Sequence, residues 1–538
     1  MLKERLYRAV KDALAICRAE DLVPDVGVPV EIVAQAGAYA TDVPLLLARR
    51  SENTSGTTAA RAATYAESLA ENINAHDAAP CVATISDTGT LFLRPTPAAY
   101  AGAVRATVEA GESFGTNTAG ANRRALVEFV SANPHTPISL HHARGAAVGD
   151  ALSHLLTASG YEVEREFYVN DGASASGLRS LSRAVFAAYR EHFGVETGES
   201  DADFYTGEYV RELAEKIAES SGNRYVDLSP EAAATAITPA VLSLMQDGQR
   251  EILARLGVSF DRWFSESALL AEGALQNVMD ALLASGAAYA HGGALWLRTT
   301  AFGDDSDRVL LRNDGTPSYF AGDLAYHADK LQARAYGLAV DVWNADHEPY
   351  IGRTLAGLAA LGVADVPSRL KIAVYGTVRP VQDGTQLRGG RYAGGMVSLR
   401  EVLDAGADTD ALRFALLLAA PTPSPTDLNV DTLAPNAPGN ALASVRAAIA
   451  QGTGDVQIVE TIDRDDLCAV IRQVEAFAET VTVAVATVSP GEVARWAWSL
   501  AGAVNRLPDD NAPETAAATR AAGVVLTNAL RLLGIVSA

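Results

Sequence analysis

Residues 127–145 read Val-Glu-Phe-Val-Ser-Ala-Asn-Pro-His-Thr-Pro-Ile-Ser-Leu-His-His-Ala-Arg-Gly. An apolar run ends in a loop carrying His135, His141 and His142, and a helical pattern follows at once. Helix amino termini favour anions such as phosphate, and imidazoles placed there can donate to phosphate oxygens. The plainer alternative is a surface loop that happens to be rich in histidine. Glu128 interrupts the apolar run 126–130. Buried, its carboxylate needs a cation or donors; otherwise it is a strand-edge glutamate facing water. Asp323, in Tyr319-Phe320-Ala321-Gly322-Asp323-Leu324-Ala325-Tyr326-His327, adds a second carboxylate beside two tyrosines. Two carboxylates and a tyrosine suit a planar guanidinium, whose fork takes bidentate partners. As a helix cap, Asp323 would need no ligand.

The elements that position these residues follow from periodicity. Helical spacing covers 3–18 and 58–74, strand-like runs cover 28–33 and 90–93, and 95–115 reads as a helix leading into a joint. From about residue 125 the order is strand (126–130), loop, helix (143–159), strand (161–170). This is a βαβ unit and implies a parallel sheet. More helix is expected through about residue 284, and further strands at 294–297, 339–343 and 370–375. A Rossmann-like, doubly wound parallel sheet is the expectation, with its site at the carboxyl ends of the strands. After residue 435 the pattern is helical and rich in Ala, Val and Leu, as in a helical bundle. The Thr/Pro cluster 421–426 is the expected hinge.

The 538 residues suggest roughly three or four domains at about 150 residues each. Hydrophobic residues make up 49% and charged residues 20%, which excludes a disordered or collagen-like chain. The net charge of −22 lacks the basic excess of a generic nucleic-acid binder, so no DNA partner is expected and any RNA contact must be local. Cys17, Cys81 and Cys468 are far apart, which argues against a disulfide framework or a clustered zinc site and for a reducing compartment. No apolar run reaches the roughly 18 residues of a membrane span. The amino terminus turns amphipathic at once, so a cytoplasmic protein without a membrane partner is expected.

The run Glu128-Phe-Val-Ser-Ala-Asn-Pro134 resembles the signature of arginyl-tRNA synthetase, a class I aminoacyl-tRNA synthetase. Stretches 165–171, 205–209, 256–267, 293–308, 315–330 and 344–347 are similar to the same family, and the resemblance covers nearly the whole chain. It implies an α/β multidomain protein: an α+β domain (1–115) contacting the tRNA elbow, a Rossmann catalytic domain with insertions (116–430), and a helical domain (431–538) that reads the anticodon. It implies the ligands L-arginine, ATP with Mg²⁺, and tRNA(Arg), and a monomeric state. By the same resemblance Glu128, Tyr319 and Asp323 correspond to the guanidinium pocket, and Asn133 and His347 to groups near the substrate's α-amino and carboxyl end. Ser139, His141, His142 and Asp346 correspond to the ATP site, and Ser139, His142, Arg388 and Arg391 to catalytic positions.

Two family loops are altered. The family's His-x-Gly-His is Ser139-Leu140-His141-His142 here: Ser139 offers one neutral hydrogen bond, and His141 stands where glycine normally lets adenine approach. The Lys-Met-Ser-Lys-like loop aligns with Arg388-Gly389-Gly390-Arg391, where arginine keeps the charge but changes its shape and two glycines should loosen the loop. No compensating lysine precedes the first loop; His135 and Thr136 stand there. Residues 435–442 replace the family's tyrosine-rich anticodon helix with a Pro-Gly break, and the chain ends without a basic or aromatic tail, which weakens the case for tight tRNA binding. Trp496 and Trp498 read as core or edge residues. Three functions stay open: an arginine–tRNA ligase, a paralogue supplying activated arginine to another pathway, and a non-catalytic arginine-binding or regulatory protein.

Overall fold

The structure is a computed structural model. It describes residues 2–35, 37–51, 55–172, 176–195, 205–419, 425–454 and 459–536. Most of the expected hinge, residues 421–424, lies outside them; Thr426 opens the strand Thr426–Asn429. No helix of the described residues is long and apolar enough to cross a membrane.

The chain divides into two compact units. One comprises Met1–Gly115, Ser444–Thr480 and Trp496–Ala529; the other comprises Thr116–Ala443, Val481–Arg495 and Leu530–Ala538. In the first, helix Leu2–Ala19 buries Leu2, Leu6, Val10, Ala13, Leu14 and Cys17, the stripe that three- and four-residue spacing produces. Its sheet is antiparallel in the order Val33–Gln35, Ala38–Thr41, Leu91–Pro95, Cys81–Ile85. Of the expected strand 28–33 only Val33 is paired. Pro29 lies inside that stretch and has no N–H to give a ladder. The helix expected over 95–115 runs from Pro97 to Ala110 and stops at Gly111, whose φ is +52°. Asn528 donates to the carbonyls of Gly111 (2.8 Å) and Phe114 (3.1 Å). Trp496 packs on Phe477 with ring centroids 4.7 Å apart, whereas Trp498 is 52% exposed. Beyond residue 440 the described residues form helices and no strand.

The second unit holds the expected parallel sheet. Its strands are β1 (Arg124–Glu128), β2 (Glu162–Val169), β3 (Arg262–Ser265), β4 (Leu338–Asn344) and β5 (Leu370–Tyr375), in the order β5-β4-β1-β2-β3. Every pairing is parallel. The order reverses between β1 and β4, and a ligand crevice forms at such a switch point. Helix α1 (Leu140–Ala158) crosses over from β1 to β2, and helix α2 (Tyr319–Ala328) precedes β4.

Two expectations are corrected here. Residues 294–297 are not part of this sheet; they form the middle strand of a separate antiparallel sheet with Ala288–His291 and Arg308–Leu311. The connecting Gly292-Gly293 has φ of +58° and +79°, the two-residue hairpin turn that reverses a chain at once. Second, the stretch expected to continue as helix contains β3, which is only four residues long and too short to show a period.

Candidate active site

A cleft of about 560 Å³ opens at the carboxyl ends of β1, β2 and β4. Of the residues expected at a site, Glu128, Asn133, His141, His142, Tyr319, Asp323 and His347 line it; Ser139, Asp346, Arg388 and Arg391 do not.

Helix α2 supplies the acidic wall. It buries Phe320, Ala321, Leu324 and Ala325 in a core that includes Ala339, Leu358 and Leu370. Tyr319 and Asp323, four residues apart, therefore share the opposite face, toward the cleft. Tyr319 is 61% exposed and stands at the rim. Ser318, not Asp323, caps α2, accepting from Ala321 N at 3.3 Å. Loss of water, reinforced by Glu266 and Glu128, raises the Asp323 carboxyl to about 6 even though His327 and Lys330 pull it down. Among the described residues its carboxylate accepts no hydrogen bond. The Tyr168 hydroxyl, from β2, is buried beside the Glu266 carboxylate. Burial and the carboxylates of Glu266, Asp323 and Glu128 push that phenol far up.

Glu128 is buried, not a water-facing edge residue. Lys330 Nζ donates to its Oε2 at 2.8 Å, and the Ser131 hydroxyl donates to its Oε1 at 2.6 Å. Lys330 also reaches Asp341 Oδ1 at 2.7 Å, and His327 Nε2 lies 2.7 Å from Asp341 Oδ2. Burial works to raise Asp341, but Lys330 and His327 hold it down at about 2. Asp341 pairs in register with Glu128 across the switch point. Behind them Glu166 accepts from Arg334 (2.5 and 3.0 Å) and from Tyr326 Oη (2.7 Å). The backbone turns sharply after β1: Val130 and Ser131 have φ of +69° and +39°, a strained state for a β-branched residue. That turn brings the Ser131 hydroxyl back onto Glu128.

The loop between β1 and α1 forms the opposite wall. Asn133 Oδ1 accepts from Asn170 at 3.3 Å, and its carbonyl accepts from Gln249 at 3.1 Å. His135 lies 3.1 Å from Tyr205 Oη. Ser139 is 5% exposed and caps α1, which is why the helix begins at Leu140 and not at residue 143. Burial lowers His142 to about 4 and also lowers His141, whose ring packs beside Tyr375 at 5.1 Å. These imidazoles are neutral near pH 7. His347 is exposed between Trp343 (6.3 Å) and Tyr350 (5.8 Å). Asp346 is exposed beside it, its N–H held by Asn344 Oδ1 at 3.2 Å.

Arg388 and Arg391 are exposed on a loop folded against residues 206–209. That loop is not loosened by both glycines. A Cβ on Gly390 would meet Met396 O at 2.1 Å, so this glycine permits a close backbone approach. Glu401 accepts from Tyr392 N (3.0 Å) and Ser398 N (2.9 Å), and burial's upward push on its carboxyl is outweighed by these backbone donors.

Sequence reasoning missed Tyr168, Glu266, His327, Lys330 and Asp341. Asp341 carried the signal that had marked Glu128: one carboxylate inside an apolar run, Leu338-Ala-Val-Asp-Val-Trp343. The others sit in amphipathic stretches where no spacing separates them from surface residues.

A parallel sheet with a polar cleft at its switch point, and a histidine-bearing helix start on one wall, is a class I synthetase architecture. Residues 104–414 match the family model for tRNA synthetases class I (R), catalytic domain. The chain is 36% identical over 422 residues to an arginine–tRNA ligase of Syntrophotalea carbinolica, covering 78% of this chain and 74% of the relative. It is 30% identical over 558 residues to that of Geobacillus thermodenitrificans, covering 99% and 97%. The solved Thermus thermophilus arginyl-tRNA synthetase shares the fold, with a TM-score of 0.73 over 100% of both chains at 18% identity. The chain belongs to the arginyl-tRNA synthetase family.

Proposed function

We propose that this protein is an arginine–tRNA ligase. It binds L-arginine and ATP, joins them as arginyl-adenylate with release of pyrophosphate, and passes the arginyl group to tRNA(Arg). The observation that carries this reading is the Asp323 carboxylate, desolvated and without a donor, in a cleft whose other buried carboxylates are already paired. A guanidinium brings the missing charge and a fork of N–H donors. A neutral side chain of the same length would leave that charge unpaired, a penalty of several kcal/mol.

Glu128, Tyr168 and Tyr319 complete the guanidinium end, and Asn133 and His347 take the α-amino and carboxyl end. One arginine carboxylate oxygen then attacks the α-phosphorus of ATP, and the bond to pyrophosphate breaks. The start of α1 supplies positive potential for the phosphates, and His142 supplies a neutral N–H donor. Mg²⁺ arrives with ATP as part of the substrate. Arg388 and Arg391 act on the phosphates when their loop swings toward the cleft, which supplies positive charge as the anion develops.

Titration calorimetry with L-arginine, arginine-dependent exchange of pyrophosphate into ATP, and charging of tRNA(Arg) test the three stages separately. All three are expected. His141 stands on the ATP wall, where the family has glycine, and the later stages separate two other readings. Exchange without charging would make this a supplier of activated arginine to another acceptor. Binding without exchange would make it an arginine-binding regulator. No arginine binding by the folded chain would overturn all of these.

A further inference from the structure

Lys330 lies on the π-helical turn Asp329–Ala333, a local irregularity of a kind that often marks functional positions, and is wholly buried. Its ammonium stands 2.8 Å from Glu128, 2.7 Å from Asp341 and 4.1 Å from the centre of the Tyr326 ring. Ser131 and His327 occupy the remaining oxygens of those two carboxylates. Each carboxylate oxygen of this group therefore has a partner, while Asp323 on the same cleft has none. One place for a cation, buried behind Glu128, is filled by the chain itself, and the one beside Asp323 on the cleft is open.

We propose that Lys330 is a positioning residue of the arginine pocket. Its ammonium fills the cation place between Glu128 and Asp341 and fixes Glu128 as a hydrogen-bond acceptor aimed into the cleft. Asp323, which accepts no hydrogen bond among the described residues, is then the carboxylate left to pair with the guanidinium. This inference rests on the arginine-pocket reading above. The physical reason is that a buried carboxylate left without its cation rotates toward another donor or takes up a proton, and either change removes an acceptor from the substrate.

The test uses the full chain and begins with arginine titration of the parent protein. Lys330→Met combined with Asp341→Asn removes one buried positive and one buried negative charge together, which guards the fold. Lys330→Arg keeps the charge but moves it, and serves as the second variant should the first fail to fold by circular dichroism. In pyrophosphate exchange, both are expected to raise the arginine KM at least about tenfold, with kcat changed much less, because the loss is one of substrate binding. An arginine KM within about twofold of the parent in either folded variant, or a fall in kcat alone, overturns the proposal and leaves Lys330 a core ion pair. If the parent itself does not bind arginine, the ligase reading fails first and this proposal falls with it.

Discussion

The backbone N–H of Ser139 lies 3.2 Å from Nδ1 of His142, and the His142 N–H in turn reaches the Ser139 hydroxyl at 3.4 Å. The imidazole accepts at Nδ1, so its proton sits on Nε2 and the ring is neutral. A serine at this place is therefore an N-cap, and the main-chain N–H of the same residue sets the tautomer. Ser139→Ala should cost about 1 kcal/mol of stability. It also removes the hydroxyl 3.0 Å from His142 Nδ1 while the backbone N–H contact stays, so the KM for ATP should rise only modestly. Thermal melting and exchange kinetics check both, and Ser139→Asp, which can still cap, should recover the melting temperature.

Asp323→Asn removes the one unpaired carboxylate that lines the cleft among the described residues. Arginine affinity should fall by about 3 kcal/mol, roughly a hundredfold, while the fold is kept. Calorimetry measures it. An unchanged Kd would place the guanidinium elsewhere.

The Asp323 carboxyl, raised to about 6 by burial, must be ionised to pair with arginine. Affinity should therefore rise about tenfold per pH unit up to about 6 and level off above about 7. Binding at pH 6 should release about half a proton, visible as a heat that varies with buffer ionisation enthalpy. The free protein has the opposite dependence. A carboxyl raised in the fold loses stability as pH climbs from about 4 through 6, and arginine should restore it.

Gly394 has φ of +62°, and a Cβ there would lie 1.8 Å from Thr206 O. Gly394→Ala should peel the 387–397 loop from residues 206–209. Limited trypsin digestion should then cut faster after Arg388 and Arg391, and the KM for ATP should rise. A digestion rate equal to the parent's would count against the packed loop.

Arg413 and Asp150, both 1% exposed, form a buried ion pair that Arg165 joins at 2.9 Å. Arg413 also donates to the carbonyls of Leu256 (3.1 Å) and Leu533 (3.0 Å). Arg413→Met should leave Asp150 short of a partner and cost about 3–5 kcal/mol, lowering the urea midpoint.

Much of this was legible along the chain. The grouping of Asn133 and His142 with Glu128 and Asp323 comes from the resemblance to arginyl-tRNA synthetases. The parallel βαβ order and the helix-only character after residue 440 follow from local patterns: an apolar run, a loop rich in histidine and proline, a helical repeat. Those patterns report the period of one element at a time. They could not report that Asp341 lies beside Glu128 across two strands more than two hundred residues apart. Nor could they report that Lys330 bridges that pair, or that Ser139 turns inward to hold a helix end. Strand register, burial and a positive-φ turn at Val130 and Ser131 set those relations, because the ionic state of a carboxylate depends on which distant side chains share its desolvated surroundings.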